Sequence, residues 1–230
     1  MGYSEHARRY LNYEGIAKER TYVTGSPMTE VLTANIDKVK SSKVVEQLGL
    51  EKGKYILLSA HREENIYIEK NFMALMNAVN AMAEHYDMAI IYSTHPRSVK
   101  FIEQRGFKFH SNVRSLKPFG FFDYNNLQLN AFCVVSDSGT IPEEASYFKF
   151  PAVSVRTSTE RPESMDKGNF IIGSINTERV LQAVDLAVAM FENGDLGVTT
   201  PDYADENVSV KVVKIIQSYT GIVNRMVWRK

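Results

Sequence analysis

Short apolar runs alternate with stretches of helical period along most of this chain, and that alternation restricts the fold more than any other feature. KYILLSA (Lys54–Ala60), MAIIYST (Met88–Thr94), FCVVS (Phe132–Ser136) and AVSV (Ala152–Val155) are too short for helices and are apolar throughout rather than at every second residue. Such runs read as strands buried on both faces. Val113–Leu116 and Phe170–Ile172 read as two further short strands. Between the first two runs, Phe72, Leu75, Met76, Val79 and Met82 recur at spacings of three and four, which marks a helix over Tyr67–His85. Pro96 opens a helix running through Phe101–Gln104, Asn126–Asn130 reads as a short helix, and further helices are expected at Thr177–Glu192 and Asp205–Tyr219. Strand and helix in alternation, with strands lacking a polar face, predict an α/β fold: a parallel, Rossmann-like sheet with helices on both faces.

The two ends read differently. Glu5–Glu14 forms a helix, followed by YVTGSP, a short strand running into a turn. The final segment, GIVNRMVWRK, carries Val223, Met226, Val227 and Trp228, which either pack on the domain or await a partner. The expected division is residues 1–25 as a linker element left from another domain, 26–200 as a ligand-binding Rossmann-like domain, and 201–230 as a C-terminal helix and tail.

Composition narrows the function. The 230 residues include 27 basic and 27 acidic side chains, so no net field favours nucleic acid or an anionic membrane. One cysteine, Cys133, excludes an internal disulfide framework and a multi-cysteine metal site. No apolar run approaches the roughly 20 residues of a membrane span. These features point to a protein of a reducing compartment, the cytoplasm, that handles a small ligand without metal.

Ligands of doubly wound sheets bind beyond the carboxyl ends of the strands. After the fourth strand comes SDSGTIPEEA, in which Ser138 reads as a helix N-cap, Gly139 permits close approach to the backbone, and Pro142 falls in the first turn. Unbonded N–H groups there suit a phosphate. Glu144 follows Thr140 by one turn and could accept hydrogen bonds from ribose hydroxyls. His61 and Arg62 follow the first strand, His95 and Arg97 the second, and Arg161 the fifth. Each also has a plain structural explanation. Ser138 could simply cap a helix with Glu143 and Glu144 on a solvated face; Arg62 could pair with Glu63 or Glu64; Arg161 could pair with Glu160 or Glu163. A dense anion such as a nucleoside diphosphate accounts for all four strand ends at once. Neither GxxxxGK[ST] nor GxGxxG occurs in these turns.

YSEHARRYL, VTGSP, SAHREEN, the HP of THPRS, SDSGTIPEEAS and the TERPE of STERPES together resemble the non-hydrolysing UDP-N-acetylglucosamine 2-epimerases. GSPM and PFGFFDYNNLQ are similar to the branch that makes UDP-N-acetyl-L-fucosamine for surface polysaccharides. The resemblance implies one half of a GT-B-like two-domain epimerase fold, the half that holds UDP, with no cofactor. It implies that His61 contacts the phosphates and assists departure of UDP, that Ser138 and Gly139 bind the diphosphate, that Glu144 binds the ribose, and that Arg161 faces the diphosphate or the sugar. Tyr124 matches an aromatic near the uracil. Arg62 and His95 match positions that can touch a second, regulatory UDP-sugar. The family's general bases lie in an N-terminal domain that the resemblance puts outside this chain, so a separate N-terminal half is the expected partner. The alternatives are the nucleotide-sugar-binding half of a GT-B glycosyltransferase and a UDP-sugar-binding remnant or sensor without catalysis.

Overall fold

The computed structural model describes residues 1–230. The chain forms two compact units, residues 35–198 and residues 1–34 with 199–230.

In the first of these, the elements run α3 (Val44–Gln47), β1 (Tyr55–Ser59), α4 (Glu63–Ile66), α5 (Glu69–Tyr86), β2 (Ala89–Ser93), α6 (Pro96–Gln104), β3 (Val113–Leu116), α7 (Phe121–Asn130), β4 (Cys133–Ser136), α8 (Ile141–Phe148), β5 (Ala152–Ser154), α9 (Pro162–Met165), β6 (Ile171–Ile172) and α10 (Thr177–Glu192). Two earlier helices, α1 (Glu5–Tyr13) and α2 (Met28–Ser41), precede them, and α11 (Val208–Met226) closes the chain. The six strands form one wholly parallel sheet in the order β3-β2-β1-β4-β5-β6. The expected α/β fold with a parallel sheet flanked by helices is thus the observed one.

The two-residue period of a strand divides each apolar run between two cores. Ile56 and Leu58, Ile90 and Tyr92, and Cys133 and Val135 face one side, where Phe72, Leu75, Val79 and Met82 of α5 meet Val180 and Val184 of α10. Tyr55 and Leu57, Ile91, and Val134 face the other, against Leu127 of α7 and Ile141 and Ala145 of α8. All of these side chains are at most 1% exposed. Fully burying each contributes about 1.5–3 kcal/mol. Polar atoms in these layers are satisfied: Tyr55 donates to the Leu127 carbonyl (2.6 Å) and Tyr92 to that of Ala60 (2.7 Å). The Tyr92 and Cys133 groups are pushed to high pKa by burial.

Several expected boundaries move. The helix expected at Tyr67–His85 is α5 and starts two residues later, at Glu69; the short α4 that precedes it, Glu63–Ile66, was not expected. The helix expected at Asn126–Asn130 starts earlier, at Phe121. YVTGSP is not a strand; it makes a single bridge, Val23 to Gly2. The last helix extends seven residues past Tyr219, to Met226.

In the smaller unit, Ser4 caps α1 by accepting from Ala7 N–H (3.2 Å). Leu32, Tyr203 and Val208 are buried there, and Ser26 N–H donates to the Asp202 carbonyl (2.9 Å). α11 leaves Val213, Ile216 and Met226 more than half exposed, and Trp228 follows in the same state. A cavity of about 550 Å³ lies among Tyr22, Ile215, Tyr219, Val223 and Met226.

Gly173, just after β6, is where the sheet edge meets α10. A Cβ there would lie 2.8 Å from Val153 Cγ1 and 3.1 Å from Ala183 Cβ, both in the packed core. Gly173→Ala is expected to lower unfolding free energy by about 1–3 kcal/mol, measured by urea denaturation.

Candidate functional site

Neighbouring strands β1 and β4 are joined by no direct connection; the chain leaves β1 toward β2 and β3 and returns to build β4, β5 and β6 on the opposite side. Connections therefore diverge above the β1/β4 boundary, which opens a crevice at the carboxyl end of the sheet. Every site residue suggested by the sequence follows or overhangs this edge.

Ala60 ends β1's path. Its carbonyl accepts from Tyr92 (2.7 Å) and Ser98 (3.0 Å), fixing the chain before His61. The His61 ring is 41% exposed and stacks on His95, with centroids 5.5 Å apart and planes at 26°. His95 is the N-cap of α6, its Nδ1 accepting from Arg97 N–H (3.2 Å). In the neutral ring the proton therefore sits on Nε2. Arg62 donates from Nε to the Asp137 carbonyl (2.8 Å) and from Nη1 to Glu160 (3.3 Å). A Cβ on Gly139 would stand 3.6 Å from Arg62 Nη2, so the guanidinium lies over that glycine.

Ser138 is not the N-cap. The helix begins at Ile141 with Thr140 in the cap position, its carbonyl accepting from Glu143 and Glu144 N–H (both 3.0 Å). Ser138 instead shapes the turn: its Oγ accepts from Thr140 N–H (3.2 Å) and lies 2.9 Å from Thr140 Oγ1. The N–H groups of Gly139 and Ile141 have no partner within the chain. Two unbonded N–H groups at the start of a helix are suited to an anion.

Glu143 and Glu144 are buried, not on a solvated face. Glu143 accepts from Arg161 Nε (2.9 Å), so Arg161 pairs across to α8. Arg161's neighbour Glu160 is held instead by Arg156 (2.5 and 2.6 Å) and Arg62. Glu144 accepts from Gln128 Nε2 (2.6 Å) on one oxygen and Thr140 Oγ1 (3.0 Å) on the other. Tyr124 overhangs the same spot: its hydroxyl bonds to Ser59 and Ser136 at the ends of β1 and β4. Burial, with Glu144 nearby, pushes that phenol up. His61, Arg62, His95, Tyr124, Ser138, Gly139, Glu144 and Arg161 are thus brought together through a connected set of contacts.

The sequence reading passed over Asp137. Its carboxylate is fully buried and accepts from the His61 N–H (2.9 and 3.0 Å), the Arg62 N–H (2.8 Å) and Asn65 Nδ2 (3.1 Å). A charged residue directly after a buried strand was the available signal, because such a group needs partners close by.

The fold and this cluster define a Rossmann-like domain whose carboxyl edge is furnished with imidazole, guanidinium and free N–H groups. A family model described as UDP-N-acetylglucosamine 2-epimerase matches residues 1–217, and the chain belongs to that family. It is 28% identical over 190 residues to the UDP-N-acetylglucosamine 2-epimerase of Methanocaldococcus jannaschii, covering 80% of this chain and 52% of that one. A UDP-N-acetylglucosamine 2-epimerase homolog of Methanococcus maripaludis is 32% identical over 184 residues, covering 78% and 49%. The structure of the Rickettsia bellii UDP-N-acetylglucosamine 2-epimerase superposes with a TM-score of 0.88 at 39% identity, over 99% of this chain and 61% of that one. The M. jannaschii enzyme in complex with UDP-GlcNAc and UDP gives 0.83 at 26% identity, over 94% and 59%. The chain spans about half the length of the curated relatives it matches.

Two carboxyls at the site respond oppositely to pH. Burial is the main cause raising Glu144 above its ordinary 4.5, and the Glu143 charge adds to it. A raised carboxyl favours folding while protonated in both states and loses that contribution as pH rises through its folded value. Hydrogen bonding to Arg156 is the main cause holding Glu160 down to about 2. Its contribution is present above its unfolded value near 4.5 and fades as pH falls toward 2. In thermal melts from pH 2 to 8, Glu144→Gln is expected to gain on wild type as pH rises, and Glu160→Gln to remove part of the acid loss.

Proposed function

We propose that this chain is the UDP-binding, C-terminal half of a UDP-N-acetylglucosamine 2-epimerase-like enzyme. The single observation that carries the reading is the meeting of free Gly139 and Ile141 N–H groups with His61 and Arg161 above the β1/β4 boundary. That combination suits a diphosphate, and a bound UDP in the M. jannaschii relative supports the choice of nucleotide.

In this reading Ser138 and Gly139 hold the diphosphate, Glu144 accepts the ribose hydroxyls, and Tyr124 lies by the uracil. Arg161 faces the diphosphate or the sugar. His61 contacts the phosphates. The chemistry is elimination: UDP leaves C1 as a proton is removed from C2, giving a 2-acetamidoglycal, and UDP then re-adds as a proton returns to the other face. Donors aimed at the departing diphosphate oxygens lower the barrier by stabilising the charge that develops there. The proton transfers need a positioned base. That base is assigned to a separate N-terminal half. The exposed apolar residues of α11 and relatives of about twice the length favour such a partner. His95, which stacks on His61, and Arg62 are assigned to a second UDP-sugar. The finer reading is a cytoplasmic enzyme of the UDP-N-acetyl-L-fucosamine-forming branch, serving surface polysaccharide synthesis.

Titration calorimetry of the full chain with UDP tests the binding. Heat with saturable binding is expected, and Glu144→Gln should weaken UDP about tenfold while leaving inorganic diphosphate affinity unchanged. A folded sample that takes up no UDP overturns the reading. Mixing in an N-terminal half and following UDP-GlcNAc by NMR should then yield the 2-epimer or the glycal; transfer to an added acceptor would mark a glycosyltransferase instead.

A further inference from the structure

We infer that Asp137 is the positioning residue of this site: one buried carboxylate that holds the His61–Arg62 loop in the shape that presents His61 to the nucleotide and sets Arg62 beside it. The inference rests on the UDP reading for its functional consequence, but its geometry stands apart from it.

The loop after β1 has to turn sharply away from the sheet, because His61 lies at the strand's end and α4 begins at Glu63. Its N–H groups then lose their strand partners. Asp137 replaces them, taking the N–H of His61 and the N–H of Arg62 on one carboxylate. Asn65 donates to the same carboxylate and also lies 3.1 Å from the Val155 carbonyl, so the loop is tied to the chain beyond β5. Asp137 is itself fixed: its N–H donates to the Ser59 carbonyl (3.0 Å) and its carbonyl accepts from Arg62 Nε (2.8 Å). The backbone of one residue aims the guanidinium while its side chain aims the loop.

The same carboxylate oxygen lies 3.6 Å from His61 Nδ1. The imidazole is therefore oriented with Nδ1 inward and Nε2 outward, on the exposed side of the ring. His95 stacks on the His61 ring. Ser138 is the next residue in the chain, so the anion receptor and the histidine are set by adjacent positions on β4's exit.

Asn at this position has one acceptor oxygen and two N–H donors, and would turn donors toward donors. The test is Asp137→Asn in the full chain, followed by proton–nitrogen NMR and by UDP titration calorimetry. The His61 and Arg62 amide signals are expected to shift upfield and exchange faster, while those of Leu57 and Val134 stay. UDP affinity of the folded variant should fall about tenfold. A purely structural role would lower the melting temperature and leave the folded protein's UDP affinity intact. Unchanged loop amides, or unchanged UDP affinity where wild type binds UDP, overturn the inference. If wild type binds no UDP, the nucleotide reading fails and the amide signals alone decide the positioning. If Asp137→Asn does not fold, Asn65→Ala takes its place: a smaller upfield shift of the same two amides is expected, and no shift overturns the inference.

Discussion

The divergence of connections between β1 and β4 is the constraint on which the rest of this structure depends. A parallel sheet built outward in both directions from one central pair has a single place where loops part company instead of crossing. The backbone there is left with donors that no strand satisfies. His61 and Arg62 meet that shortage by bonding to Asp137, while the N–H groups of Gly139 and Ile141 stay unbonded within the chain. Those two remain for a ligand.

Charge around the crevice is arranged in chains rather than isolated pairs. Glu160 is shared by Arg156 and Arg62, Glu143 by Arg161, and Glu63 by Arg97. Each arginine near the edge is thereby held in place by a carboxylate. Of these pairs Arg97–Glu63 is exposed on both sides and adds little stability. Their effect is on geometry, since a guanidinium fixed at Nε or at one terminal nitrogen keeps other N–H groups to offer.

The strands were legible because both their faces are buried, so they read as unbroken apolar runs such as YILLS and CVVS. Parallel pairing then puts all their carboxyl ends along one edge, which is why His61, His95, Ser138 and Arg161 could be gathered from a one-dimensional list. What escaped was set by contacts between distant residues. Burial of Glu143 depends on Arg161, eighteen positions on, and the role of Asp137 depends on main-chain N–H groups that have no side-chain signature. Ser138 and Thr140 are both good caps by type; only the hydrogen bonds that the Thr140 carbonyl accepts decide between them. α2 was missed because its buried residues, Leu32 and Val39, are few and lie among weak helix formers such as Thr33 and Asn35.

Thr140 adds a selective element. Its hydroxyl occupies one oxygen of Glu144, and Gln128 the other. Each of these donors uses one lone pair of its oxygen and leaves another. The carboxylate thus keeps one open acceptor site on each oxygen, room for two vicinal alcohols, of which a 2′-deoxynucleotide would fill only one.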